Sequence, residues 1–411
     1  MSDRAFANPY DDFDASRPAL NVYGADGTWN VEFEGRIRTC LDSLLHQIDT
    51  AVRDKNAPGT SASDDYSVYT GVAGIALMYH KVYAVTGDRL QLDKATQLVA
   101  SALSRTRSRE HTFLCGDGGP LALGALCYKE TNKNKHATEC IEKLKSNSSL
   151  VLKNARLPDE LLYGRCGCLY AWLFVNRHVA QNAIPVDLIL ALTKEVVDSG
   201  RHLASQVRHV QSPLLYAWHD SYYLGAAHGM AGIYFYLLKI PEMTGIRREQ
   251  FISSDTLKAA LDYMLTLQYP SGNFPSSLGS TSDRLVHWCH GAPGWVHMCI
   301  EAHKVFHDEC YLQAALACGD VIWQRGLLRK GYGLCHGVAG NAYALIALYQ
   351  YTNDMKWLHR CAQFITWIFD YGRHGCRSPD RPFSLMEGMA GTAYFLADIL
   401  KPKQAQFPAF Y

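Results

Sequence analysis

Long apolar runs are missing from the sequence. A helix that crosses a bilayer needs about 20 mostly apolar residues. Stretches such as 68–79 and 161–174 are shorter, and glycine or polar residues such as Arg165 break them. They read as buried helices rather than membrane spans, which leaves at most peripheral membrane association. A charge surplus is missing too: 40 Lys and Arg against 39 Asp and Glu leave +1, which argues against bulk attraction to nucleic acid. The N-terminal residues have no apolar signal-peptide core and carry acidic residues early. Ser2 excludes N-myristoylation, and the final residues form no prenylation box. The 13 cysteines are odd in number, and Cys127, Cys318 and Cys361 fall inside helix-like runs, so no disulfide framework emerges. Reduced thiols and a cytoplasmic location follow as expectations, with the nucleus left open. Alternating strand patterns are scarce as well.

What is present is a repeat. Gly-x-x-Gly followed by an apolar run begins at Gly71, Gly116, Gly164, Gly229, Gly291, Gly337 and Gly388. The first glycines are 45, 48, 65, 62, 46 and 51 residues apart. One such motif is weak evidence, but seven in near-register are a repeat. Between them lie segments with helical apolar spacing, such as Ile37, Leu41, Leu44, Leu45, Ile48 and Val52, with Arg38, Asp42 and Asp49 off that face. Each unit is predicted to be a helix pair, with an amphipathic outer helix and an apolar inner helix opened by the glycine turn. Glycine is expected there for its positive φ and for close backbone approach. A solenoid exposes two ends that need polar caps, and little chain follows the seventh motif. The expected fold is therefore all-α: a seven-fold α/α toroid forming one domain over residues 1–411, with 1–33 as an N-terminal arm packed on the barrel. Two longer intervals contain 212–223 and the turn-rich 268–280, and both are expected at the binding face.

Two motifs carry chemistry. His287-Trp-Cys-His-Gly-Ala-Pro-Gly294 and Gly333-Leu-Cys-His-Gly-Val-Ala-Gly340 each place Cys-His before Gly-x-x-Gly. Chance gives about half such a dipeptide in a chain of this composition. The position before the first glycine reads Thr70, Cys115, Tyr163, His228, His290, His336 and Glu387; one further back it reads Tyr69, Leu114, Leu162, Ala227, Cys289, Cys335 and Met386. If the ring closes, Cys289, Cys335 and His336 come from adjacent repeats to one rim, within reach of one ion. Two thiolates and an imidazole form a set that zinc uses for catalysis with a fourth position open. His290 as a fourth ligand would instead close the site, and spacing leaves both outcomes open. Cys115, Cys166, Cys168 and Cys376 are read as small packed residues.

These motifs, together with Ala226-Ala-His-Gly-Met-Ala-Gly232, resemble the LanC (lanthionine synthetase C) superfamily. Phe6-Ala-Asn-Pro-Tyr10, Arg377-Ser-Pro-Asp380 and Phe407-Pro-Ala-Phe410 are similar to its eukaryotic LanC-like branch, and the likeness runs essentially end to end. The resemblance implies a seven-fold α/α barrel with one Zn2+ held by Cys289, Cys335 and His336. In bacterial relatives the metal activates a peptide thiol that adds to dehydroalanine or dehydrobutyrine, whereas the eukaryotic proteins bind glutathione. Carried over by motif, Lys330, Arg377, Ser378, Pro379 and Asp380 would form the glutathione site. Lys330, Arg377 and Asp380 offer charges complementary to two carboxylates and one ammonium. His228, at the matching rim position, is the expected proton donor, and Arg165 and Asp117 are the expected groups that stabilise the enolate or orient His228.

The expected function is a zinc-dependent transferase that adds glutathione thiolate to electrophilic alkenes, above all dehydroalanine or dehydrobutyrine in proteins, or to general electrophiles. The alternative is a non-catalytic glutathione-binding adaptor or redox sensor with signalling partners. Nucleic acid is not an expected partner.

Overall fold

The protein is described from a computed structural model over residues 4–16, 22–54, 65–107 and 110–411. Its helices, among the described residues, are α1 (Val31–Arg53), α2 (Val72–Thr86), α3 (Arg89–Leu103), α4 (Gly118–Glu130), α5 (Asn134–Lys153), α6 (Arg165–His178), α7 (Val186–Gln206), α8 (Met230–Thr244), α9 (Ser254–Leu265), α10 (Ala292–Phe306), α11 (Glu309–Arg325), α12 (Val338–Thr352), α13 (Met355–Phe369) and α14 (Met389–Asp398). Strand pairing is limited there to isolated bridges, and no described helix is long and apolar enough to cross a membrane.

The even-numbered helices line the inside of a ring and the odd-numbered ones wrap it. α2 shows why: from Val72 to Tyr79 every residue is buried, a pattern possible only for a helix covered on all sides. α1 instead buries one stripe, Phe33, Ile37, Leu41, Leu44, Leu45 and Ile48, and leaves Arg38 and Asp42 outside. Inner and outer helices join through short turns. Gly87, His307 and Asn353 end their helices in the left-handed conformation, and Asp88, Asp308 and Asp354 at once cap the next helix, each accepting a first-turn N–H.

Each inner helix packs on the next around the circle, and α14 closes on α2. The last repeat has no outer helix after it; α1 fills that place, packing on α13 and α14. The toroid is thus closed by the two ends of the chain meeting. The N-terminal arm lies over α13: Asp12 of the arm joins Asp320 of α11 in gripping Arg360, and Phe6 sits against Trp367. That cover explains why α13 is buried on nearly all sides although it belongs to the outer layer. At the end of the barrel away from the glycine turns, the C-terminal residues enter the interior. Phe410 stacks on Phe235 at 4.0 Å and Phe407 on Trp288 at 4.8 Å.

The glycine turns form the opposite rim, and backbone hydrogen bonds lace them together. Tyr69 N donates to Leu114 O, Cys289 N to Cys335 O, Cys335 N to Met386 O and Met386 N to Tyr69 O, at 2.7–3.3 Å. The last of these joins the seventh repeat to the first. Of the two expected reasons for the glycines, positive φ needs correction and close approach holds. Among the seven first glycines only Gly291 has a positive φ, +111°. Close approach explains the motif instead. A Cβ on any of the seven second glycines would lie 1.8–2.5 Å from the carbonyl oxygen six residues earlier.

Candidate metal centre

Two long inserts clasp the metal motifs from above. Leu224 N donates to Ser276 O and Leu278 N to Tyr222 O, so 212–223 and 268–280 pair with each other at the rim. Asn273, fully buried, carries the second insert onto α10. Its Oδ1 accepts from Ala292 N at 2.8 Å, capping the helix, while its Nδ2 donates to Leu285 O and to Asp283. From the next repeat Asn341 donates to Val286 O. Residues 285–292 are therefore held from both sides by buried amides.

Held in this way, Cys289, Cys335 and His336 bring two Sγ atoms and an imidazole nitrogen within 4.8 Å of one another. Two zinc–sulfur bonds of about 2.3 Å at a tetrahedral angle set the sulfurs about 3.8 Å apart, so the donor set and its spacing suit zinc. Both cysteines are buried and His336 is partly exposed. Burial pushes the Cys335 thiol up, and the neighbouring Cys289 adds to this. The Tyr69 hydroxyl donates to Cys335 Sγ at 2.8 Å; burial and then the two cysteines raise its own pKa well above the usual value. His287 packs near His336, 5.9 Å between ring centres. Burial, then the charges of His336, Lys330 and Arg4, bring His287 down to about 3. His290 is likewise lowered to about 4, mainly by burial; its ring lies 5.5 Å from that of Tyr223.

His228 stands on the same rim, one repeat back. Its Nδ1 is 2.7 Å from Glu160 Oε2, its ring stacks on Trp218 at 3.9 Å, and His290 lies 6.5 Å away. Glu160 was not anticipated from the sequence, although a signal exists. Four residues before the first glycine, Ser67, Thr112 and Ser384 use a hydroxyl to accept the N–H three residues on. At that position repeat three has Glu160, which accepts from Tyr163 N and Leu162 N and still reaches His228. A carboxylate where three of the other repeats use a hydroxyl gives repeat three a group that can both cap its turn and reach His228.

Arg165 and Asp117 bind mainly within the loops that lead into their own turns. Arg165 is buried and bound to Asp159, Leu157 O and Asn154 O, and Asp159 directly precedes Glu160. Asp117 is fully buried and meets His111 and, from α5, Asn147. The segment 377–380 lies beside the loop that precedes the second Cys-His motif: Arg377 N donates to Arg329 O at 2.8 Å, next to Lys330 and six residues before Cys335. Lys330, Arg377, Ser378 and Asp380 are exposed and Pro379 half-buried, and Arg377 pairs with Asp380 at 3.1 Å.

A family model described as lanthionine synthetase C-like protein matches residues 62–411. The chain is 45% identical over 409 residues to a Danio rerio protein named glutathione S-transferase LANCL1, covering 99% of this chain and 98% of that one. It is 32% identical over 372 residues to the LanC-like protein GCL1 of Arabidopsis thaliana, covering 86% and 83%. Among solved structures, nisin cyclase shares the fold, with a TM-score of 0.66 at 16% identity over 90% of this chain and 96% of that one.

Proposed function

The chain belongs to the lanthionine synthetase C-like family, and from that premise we propose that it is a zinc-dependent glutathione transferase. Its reaction adds the glutathione thiolate to an electrophilic alkene, above all dehydroalanine or dehydrobutyrine within proteins. The observation that carries this reading is the meeting of two thiols and an imidazole on an open rim. A histidine–carboxylate pair shares that rim, and a charged segment flanks it. Cys289, Cys335 and His336 would hold the zinc, which when bound would supply the Lewis acidity that favours the thiolate form of an incoming thiol near neutral pH.

The protein's own groups do the rest. Lys330 and Arg377 meet the two carboxylates of glutathione, Asp380 its ammonium, and Ser378 with Pro379 shapes the turn that presents them. The sulfur lone pair forms the bond to the β-carbon of the alkene. The π pair moves to the α-carbon, which takes a proton from His228. With Nδ1 committed to Glu160, the transferred proton comes from Nε2. Glu160 fixes the tautomer and stabilises the imidazolium before transfer. Arg165 and Asp117 act through the loops that lead into their glycine turns, Arg165 by way of Asp159 beside Glu160. Free cysteines throughout the chain suit a reducing compartment such as the cytosol, where glutathione maintains thiols.

Intact-mass analysis of a dehydroalanine peptide incubated with protein, zinc and glutathione tests the reading. The wild type is expected to add one glutathione, Cys335→Ala to lose metal and product together, and His228→Gln to keep metal and glutathione but lose product. Glutathione binding without turnover of any alkene would favour the adaptor instead.

A further inference from the structure

The interval from Gly164 to Gly229 is the longest in the ring, 65 residues, and its extra chain ends in a tight turn. Trp218 N donates to Ser221 O at 3.0 Å and Ser221 N to Trp218 O at 3.3 Å. His219 takes a φ of +50°, a conformation that non-glycine residues adopt at a cost. What the turn achieves is the placement of one side chain. The Trp218 indole lies 3.9 Å from His228, centre to centre, with the planes 1° apart. Tyr163 continues the parallel set at 5.8 Å and 3° from Trp218. Trp218 is only partly buried, so apolar packing does not by itself account for an indole there.

We propose that Trp218 is a positioning residue for His228, its indole face and the Glu160 carboxylate together holding the imidazole in one orientation. The inference rests on the assignment of His228 as proton donor. The titratable and aromatic groups facing the imidazole are few. Glu160 holds Nδ1 at 2.7 Å. Tyr163 lies parallel at 6.2 Å, Tyr223 is tilted at 6.1 Å, and His290 is at 6.5 Å. Glu160 supplies the compensating charge and Trp218 covers one face. A cation on an indole face is stabilised by the ring quadrupole. Orientation is the second effect: a ring clamped at Nδ1 and stacked flat cannot swing, so Nε2 keeps one direction toward the rim centre.

The experiment is the pH profile of kcat for glutathione addition to a dehydroalanine peptide by zinc-loaded, full-length protein. A required acid makes kcat fall as pH rises through its pKa. In Trp218→Leu, which keeps bulk but removes the π face, this alkaline limb is expected about half to one pH unit lower, with zinc content and KM for glutathione unchanged. Trp218→Phe is expected to lie between the two. NMR titration of the His228 ring proton in the same variants reads the shift directly, even where turnover is too low to follow. An alkaline limb and His228 titration unmoved in Trp218→Leu would overturn the proposal. Full activity of His228→Gln with its alkaline limb intact would overturn the proton-donor assignment instead, so the two failures are distinct.

Discussion

Asn273 shows how a single buried side chain governs the chemistry without touching it. Its amide caps α10 at Ala292 and holds Leu285 O and Asp283, so it fixes both ends of the segment that bears Cys289. Asn273→Ala leaves buried backbone groups unpaired and is expected to cost about 1–3 kcal/mol, with weaker zinc binding. Urea unfolding and zinc titration check both effects. The same scale shows where sequence reasoning stopped. Cys289, Cys335 and His336 were legible because the Cys-His pair recurs in register. Glu160 was not, because its meaning depends on comparison with Ser67, Thr112 and Ser384 at one repeat position. Arg165 and Asp117 looked like rim residues from their place in the glycine turns. Two of their partners, Asp159 and His111, sit only six residues earlier in the same loops, and Asn147 comes from α5; burial of these local pairs has no separate signature in the sequence.

The glycine turn with its inner helix is the element on which the rim depends. A Cβ at Gly340 would lie 1.8 Å from Leu334 O, the carbonyl directly before Cys335. Gly340→Ala therefore has to displace backbone beside a proposed ligand. The expected cost is about 1–3 kcal/mol together with loss of zinc affinity. Gly35 is the control: it lies inside α1 and a Cβ there meets nothing within 4 Å. Gly35→Ala is expected to stabilise the protein by about 0.5–1 kcal/mol through helix propensity. Thermal unfolding of the two variants separates close approach from backbone freedom as the reason for each glycine. The helices themselves were readable from apolar spacing, because an inner helix is buried all round and an outer one along a stripe. The pairing of the two inserts was not readable, since Leu224 to Ser276 and Leu278 to Tyr222 are backbone bonds without a side-chain signature.

At the scale of the whole molecule, closure links the chain ends to the site. α1 serves as the outer helix of the last repeat, which a linear reading assigns to no repeat. The buried ring also carries a histidine remote from the rim. Burial holds His297 down at about 3, against an ordinary value of 6.5. It stays neutral in the folded state while the unfolded chain takes up a proton below about pH 6.5. Its contribution to stability is therefore full above that pH and is lost as pH drops from about 6.5 toward 3. Urea unfolding across pH 7 to 5 is expected to show this slope, and His297→Leu to flatten part of it.

The central claim is a metal centre shared by two repeats, with one position left for the thiol of glutathione. Zinc-edge X-ray absorption of the purified protein tests it most directly. The expected result is one zinc bound by two sulfurs and at least one imidazole nitrogen in the resting protein, with a third sulfur on addition of glutathione. A metal-free protein, or a zinc shell of four protein ligands that glutathione leaves unchanged, would contradict it.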